Sequence, residues 1–235
     1  LKRYSMVGDG LSHVGFGALA AAVAMGASPL GLTIPVVVAA AVLLLRLTDG
    51  SGIKGDAAIG LISVSSLAAG VTAISMSSGF NTDVCNYMFG SILAMSKNDV
   101  RLSMATSAAV LLLFLLCYNR IFAVTFDENF ARATGLDAGL YNMIIAVLTG
   151  VTIAVGMRLM GALLISGLII FPAVTSMRIF RSFRGVVLSA AAVSLSSFLA
   201  GLVLSYAAGV PAGASIVLVN LAFFLLFAAA GRIRR

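Results

Sequence analysis

The chain has 235 residues, 61% of them hydrophobic and 10% charged, with a formal net charge of +7 and a mean hydropathy of +1.12. That composition excludes a soluble domain of this size and marks a polytopic, all-α membrane protein. The basic surplus lies in short breaks between apolar stretches, where it sets topology rather than binding nucleic acid, and the two cysteines, Cys85 and Cys117, are too few for a disulfide framework or a zinc cluster.

Eight apolar spans are predicted, at about 6–26, 30–47, 57–79, 101–120, 140–157, 161–178, 186–208 and 213–231, each near the ~20 residues a helix needs to cross a bilayer. The first opens with Gly8-Asp9-Gly10-Leu11-Ser12-His13, which holds the only histidine of the chain. Residues four apart share one helix face, so Asp9 and His13 project together. Ionisable groups in a membrane helix cost about 2.5–3.5 kcal/mol on insertion scales and usually face a bundle interior. A carboxylate beside an imidazole is a sensible pair for a divalent transition metal, though two ligands fall short of the four or more such a site wants. Ser12, water, other spans or a second copy of the chain are the sources for the rest. Spacing alone is equally compatible with Asp9 capping the span and His13 hydrogen-bonding a neighbouring helix.

Between the second and third spans, Thr48 to Gly55 reads as a turn-rich loop. The break from Phe80 to Val100 carries Asn81-Thr82-Asp83 and an amphipathic piece, Tyr87 to Met95, expected as a short surface helix. Ile121 to Gly139 is the most polar segment and reads as a loop holding one short helix. In it Asp127 is suited to an N-cap, Glu128 to the first turn and Gly135 to the stop. This helix serves either as a solvated connector or as a docking element for a cytosolic partner. In the sixth span Pro172 removes a helix hydrogen bond and is expected to kink it. The small residues Gly161, Ala162, Ser166 and Gly167 permit close packing there, and a kinked span beside a pathway can gate it. Gly209-Val210-Pro211 reads as a tight turn opening the last span.

Alternating the spans across the membrane sorts the basic residues. Twelve of the 15 fall on one side (Lys2, Arg3, Arg46, Lys54, Arg120, Arg132, Arg178, Arg181, Arg184, Arg232, Arg234 and Arg235) and three on the other (Lys97, Arg101 and Arg158). The positive-inside rule places both termini of the chain and the 121–139 loop in the cytoplasm, and it puts Cys85 and Cys117 on opposite sides, unpaired. No Gly-x-x-x-x-Gly-Lys-[Ser/Thr], Gly-x-Ser-x-Gly or His-Glu-x-x-His occurs, so nucleotide binding through a P-loop and histidine-based hydrolysis are excluded.

Taken together, Gly8 to His13, Phe89-Gly90-Ser91-Ile92-Leu93-Ala94, Phe126 to Leu136, Gly161 to Ala173 and Gly209 to Leu218 resemble, in content and order, the permease subunits of the ABC-3 family of metal importers. The resemblance implies a type II ABC importer permease formed by a single transmembrane domain over 1–235, in the plasma (inner) membrane of a prokaryote, with no permanently bound cofactor. The transported ion is Zn²⁺ or Mn²⁺, with iron a third cargo in the family. The implied partners are a second permease copy, cytosolic ABC ATPase subunits that carry ATP hydrolysis, and an extracytoplasmic metal-binding protein. Asp9 and His13 match the metal-contacting pair; Phe126, Asp127, Glu128, Ala131, Arg132 and Gly135 fall in the ATPase-coupling segment. Ser91 stands where many family members carry an acid and has no metal role. Family members usually begin with a further helix, which is expected to precede Leu1. The competing readings are an ion-coupled secondary transporter, which usually shows several intramembrane acids or internal repeats, a siderophore- or vitamin-type ABC permease, and a non-transport scaffold.

Overall fold

The computed structural model describes residues 6–50, 55–77 and 97–233. The Tyr87–Met95 helix, the Phe89–Ala94 motif with Ser91, Asp83, Cys85, Lys2, Arg3, Lys54, Arg234 and Arg235 lie outside the described residues. Among the described residues the chain is helical throughout: α1 (Val7–Ala24), α2 (Pro29–Gly50), α3 (Gly55–Ser77), α4 (Lys97–Phe126), α5 (Glu128–Ala133), α6 (Ala138–Met160), α7 (Ala162–Ser176), α8 (Phe183–Ala208) and α9 (Ala212–Ile233). Seven of these are long and apolar enough to cross a membrane. The eighth predicted span is the shorter apolar helix α7, of 15 residues, extended by a turn through Ile179.

One departure concerns α4. The stretch 121–126, read from the sequence as the start of a loop, is its last turn and a half. No glycine or proline interrupts the chain from Lys97 to Thr134, and Ile121 and Val124 gain burial by staying helical. Helix α7 continues through Pro172, which is fully buried.

The helices form two compact units, one ending at Leu159 and the other beginning at Met160. In the first, α1 is central: two-thirds of its span is buried. It packs against α3 along a seam of small residues. A Cβ on Gly10 would lie 2.5 Å from Ile59 Cγ2, one on Gly70 would lie 2.7 Å from the Gly17 Cα, and one on Gly17 would run into the Ser66 carbonyl oxygen. Gly10 thus lies opposite 59–63 and Gly17 opposite 66–70, so the two helices run parallel. On its other flank, Gly15 meets Met157 of α6 and Val37 of α2. In lipid, where tails are as apolar as leucine, such small-residue contacts are what bring helices together. Gly17→Ala is expected to force α1 and α3 apart at a backbone contact, a change of the overpacking kind worth about 1–3 kcal/mol. The measurement is the melting temperature of the detergent-purified protein, which should fall; an unchanged value refutes the seam as a determinant of stability.

In the second unit α7 and α9 also run parallel, with Gly167 against Val217 and Phe171 against Phe224. Helix α8 lies antiparallel to both, joined to α7 by a Ser176–Ser189 hydroxyl hydrogen bond of 3.1 Å and to α9 where Gly201 receives Ile216. Ser182 caps α8 by accepting from the Gly185 N–H at 3.2 Å. The predicted turn before the last span is present: Gly209 adopts φ +65°, a left-handed cap that glycine takes without a Cβ penalty.

Candidate functional site

From Gly8 to Ala20 every residue of α1 is buried except Asp9 and His13. The rest of this stretch is consumed by packing, and this pair faces outward from it. The His13 Nε2 lies 3.9 Å from the Asp9 Oδ2, with the side chains 36% and 44% exposed. That distance is beyond a hydrogen bond, and among the described residues neither side chain has another polar partner. The residue preceding the helix is Met6, which offers no side-chain cap, and Asp9 is the third residue of the first turn. Among the described residues, therefore, His13 makes no bond to a neighbouring helix, and Asp9 does not cap α1.

The pair opens into a pocket of about 570 Å³ between α1 and α3, lined also by Asp56, Gly60 and Ser63. Among the described residues its ionisable lining is two carboxylates and an imidazole, with no lysine or arginine, in a chain of net charge +7. Electrostatics therefore favours a cation there. Ser12, weighed from the sequence as a further ligand, turns away: its hydroxyl is buried and donates to the Asp9 carbonyl oxygen at 2.7 Å. Asp56, in the first turn of α3, was not singled out by the sequence. The available signal was topological, since α1 and α3 start from the same side and carry an acid in their first turns. The three groups do not converge on one point: among the described residues no set of three His, Cys, Asp or Glu side chains could hold one metal ion. What the chain brings together on one helix face is a pair of groups able to bind a metal, Asp9 and His13.

The other predicted element is α5. Asp127 is its N-cap, its carboxylate accepting from the Phe130 N–H at 3.0 Å. Arg132 donates to Glu128 at 2.7 Å across one turn, both on the exposed side. The helix stops at Gly135, whose φ of +84° lets the Leu136 N–H return to the Ala131 carbonyl, the Schellman pattern. Ala131 is fully buried and joins Ile121 and Val124 of α4 and Ala138 and Tyr141 of α6 in one apolar cluster. Arg120 donates to the Tyr141 hydroxyl at 2.6 Å. A six-residue helix does not hold itself in water; this one is seated on α4 and α6 by Ala131 and presents Phe130, 65% exposed, beside Phe126, the 82% exposed last residue of α4.

A family model described as the ABC 3 transport family matches residues 1–231. The chain is 29% identical over 226 residues to the manganese import system permease protein ScaB of Streptococcus gordonii, covering 96% of this chain and 81% of that one. It is 31% identical over 218 residues to the high-affinity zinc uptake system membrane protein ZnuB of Buchnera aphidicola, covering 92% and 83%. A solved structure, PsaBC from Streptococcus pneumoniae in complex with Fab, is 30% identical and superposes with a TM-score of 0.83 over 95% of this chain and 80% of that one. With the fold, the order of the elements and a match that runs almost from end to end, the chain belongs to the ABC 3 transport family.

Proposed function

We propose that this chain is the membrane permease subunit of an ATP-driven importer of a divalent transition-metal ion, zinc or manganese, working as one permease domain. ATP hydrolysis belongs to separate cytosolic subunits, and a metal-binding protein outside the membrane delivers the ion. The observation that carries the reading is the Asp9–His13 pair, the two residues of an otherwise buried membrane-spanning stretch left open to a cation-attracting pocket. The names of similar proteins, a manganese import permease and a zinc uptake membrane protein, support the cargo class.

Two ligands per protomer suit two copies of the chain, since two carboxylates and two imidazoles complete a four-coordinate shell. In the outward state the ion rests on Asp9 and His13. ATP-driven closure of the ATPase subunits moves α5 and, through the cluster beneath it, the ends of α4 and α6. The ion shifts the equilibrium between states only by its differential affinity for them, so a shell that opens on the inward side favours release. Pro172, within the continuous helix α7, lowers the cost of bending there by removing one backbone hydrogen bond.

The test is uptake of zinc and manganese, followed together, in cells with permease, ATPase and binding protein all present, against cells lacking only the permease. Permease-dependent uptake of either metal that also requires the ATPase supports the reading. Uptake that survives loss of the ATPase and collapses with an uncoupler overturns it in favour of ion-coupled transport.

A further inference from the structure

The same pocket holds a group outside the metal-contacting pair. Asp56 stands in the first turn of α3, exposed, on the face of that helix that also presents Gly60 and Ser63 to the pocket. Its position beside α1 is fixed by the glycine seam: with Gly10 against Ile59 and Ser63, Asp9 lies level with about residue 60. At 1.5 Å per residue, Asp56 is then displaced from Asp9 by about one helical turn, and from His13 by about two, toward the helix starts. The three groups follow one another along the two parallel helices, Asp56 nearest the helix starts, then Asp9, then His13. Among the described residues nothing basic lines the pocket.

We infer that Asp56 is the release-side carboxylate of the metal path, receiving the ion as it leaves Asp9 and His13. The inference rests on the metal-importer reading above and on the cytoplasmic placement of the starts of α1 and α3. Asp56 is not a third ligand of the resting ion, since the three groups do not converge on one point. An anion about one turn along the path instead lowers the energy of a rehydrating cation between its last protein ligand and bulk water. That step sits after loading, so it governs how fast the importer turns over and leaves the concentration at which it loads unchanged. Asp56 also sits where a first-turn acid favours a helix start, and the test must separate these roles.

The experiment is ATP-driven uptake of radioactive Mn²⁺ and Zn²⁺ by the permease–ATPase complex in liposomes with its binding protein. It compares wild type with Asp56→Asn, Asp56→Glu and His13→Ala at matched permease content, with the melting temperature of each complex measured alongside. Asp56→Asn is expected to lower the maximal rate about five- to tenfold with the half-saturating concentration unchanged, and Asp56→Glu to restore most of it. If Asp56→Asn does not assemble, Asp56→Ser replaces it, keeping an oxygen at the helix start without the charge. A wild-type rate in Asp56→Asn while His13→Ala fails overturns the role of Asp56 and leaves the importer reading standing. Wild-type rates in both variants overturn the assignment of the metal path itself. A higher half-saturating concentration at an unchanged maximal rate places Asp56 on the loading side and overturns the inference, as does a lower melting temperature that accounts for the lost rate in both Asp56 variants.

Discussion

Replacing His13 with alanine is expected to cut permease-dependent metal uptake to below about a tenth of wild type, and Asp9→Asn to do the same. Both side chains are more than a third exposed and neither packs in the core, so the loss arises with the melting temperature and membrane content of the protein unchanged. The size follows from metal chemistry: changing even the outer-shell partners of a metal ligand typically costs ~10–100-fold in affinity or activity, and removing a ligand outright costs at least as much. Asp9→Asn keeps the shape and removes the charge, so it tests the carboxylate itself. The double variant gives a sharper check. Two groups acting on one ion are not additive, and His13→Ala with Asp9→Asn is expected to be no worse than the more damaging single change. Losses that multiply instead refute a shared ion, and wild-type uptake in both single variants removes the pair from the path. Following zinc and manganese side by side also identifies the cargo, because imidazole and carboxylate together accept either metal and in-cell selection rests on geometry and delivery.

The spans were legible because a bilayer demands long apolar helices and the chain supplies them: the predicted segments lie within a few residues of the observed helices wherever described residues allow comparison. The misread end of α4 has a specific cause. Hydropathy falls at Asn119-Arg120, yet the Arg120 guanidinium finds the Tyr141 hydroxyl while Ile121 and Val124 turn inward onto α6. The helix therefore runs past the polar residues that seemed to close it. That Asp9 and His13 share a helix face and open together was legible from their four-residue spacing. The place of Asp56 in the same pocket was not, because it falls just outside the apolar window of its span and comes beside Asp9 only when the glycine seam sets α3 parallel to α1 at a defined register. Ser12 illustrates the opposite error: its neighbours in sequence suggest a ligand, but position 12 is rotated away from 9 and 13 onto the packed face of α1.

The second large effect is expected at Phe130. Substitution by alanine should reduce recovery of the ATPase subunit with the permease by more than about tenfold, the scale of an interface hot spot worth ~2 kcal/mol. Helix α5 is held from behind and open in front. Behind, Ala131 is fully enclosed by α4 and α6; in front, the Phe130 ring stands 65% exposed on a segment that the charge bias places in the cytoplasm. A large aromatic in that position costs the free protein solubility unless a partner covers it, and aromatic anchors rank among the strongest contributors at interfaces. Phe126 is more exposed still, but it ends a membrane span, where aromatics also settle at the lipid boundary, so Phe130 is the cleaner probe. The Glu128–Arg132 pair on the same helix is expected to matter less, because exposed i,i+4 ion pairs contribute only about 0.3–0.5 kcal/mol. Replacing both residues should weaken recovery of the ATPase by a smaller factor than Phe130→Ala. Ala131→Leu supplies the contrast. It leaves the outer face chemically intact and pushes the whole helix off its seat, so it should lower ATP-driven uptake more than it lowers ATPase recovery. If Phe130→Ala and the Glu128/Arg132 double variant both recover the ATPase at the wild-type level, α5 is a solvated connector and the force of ATP hydrolysis enters the permease elsewhere.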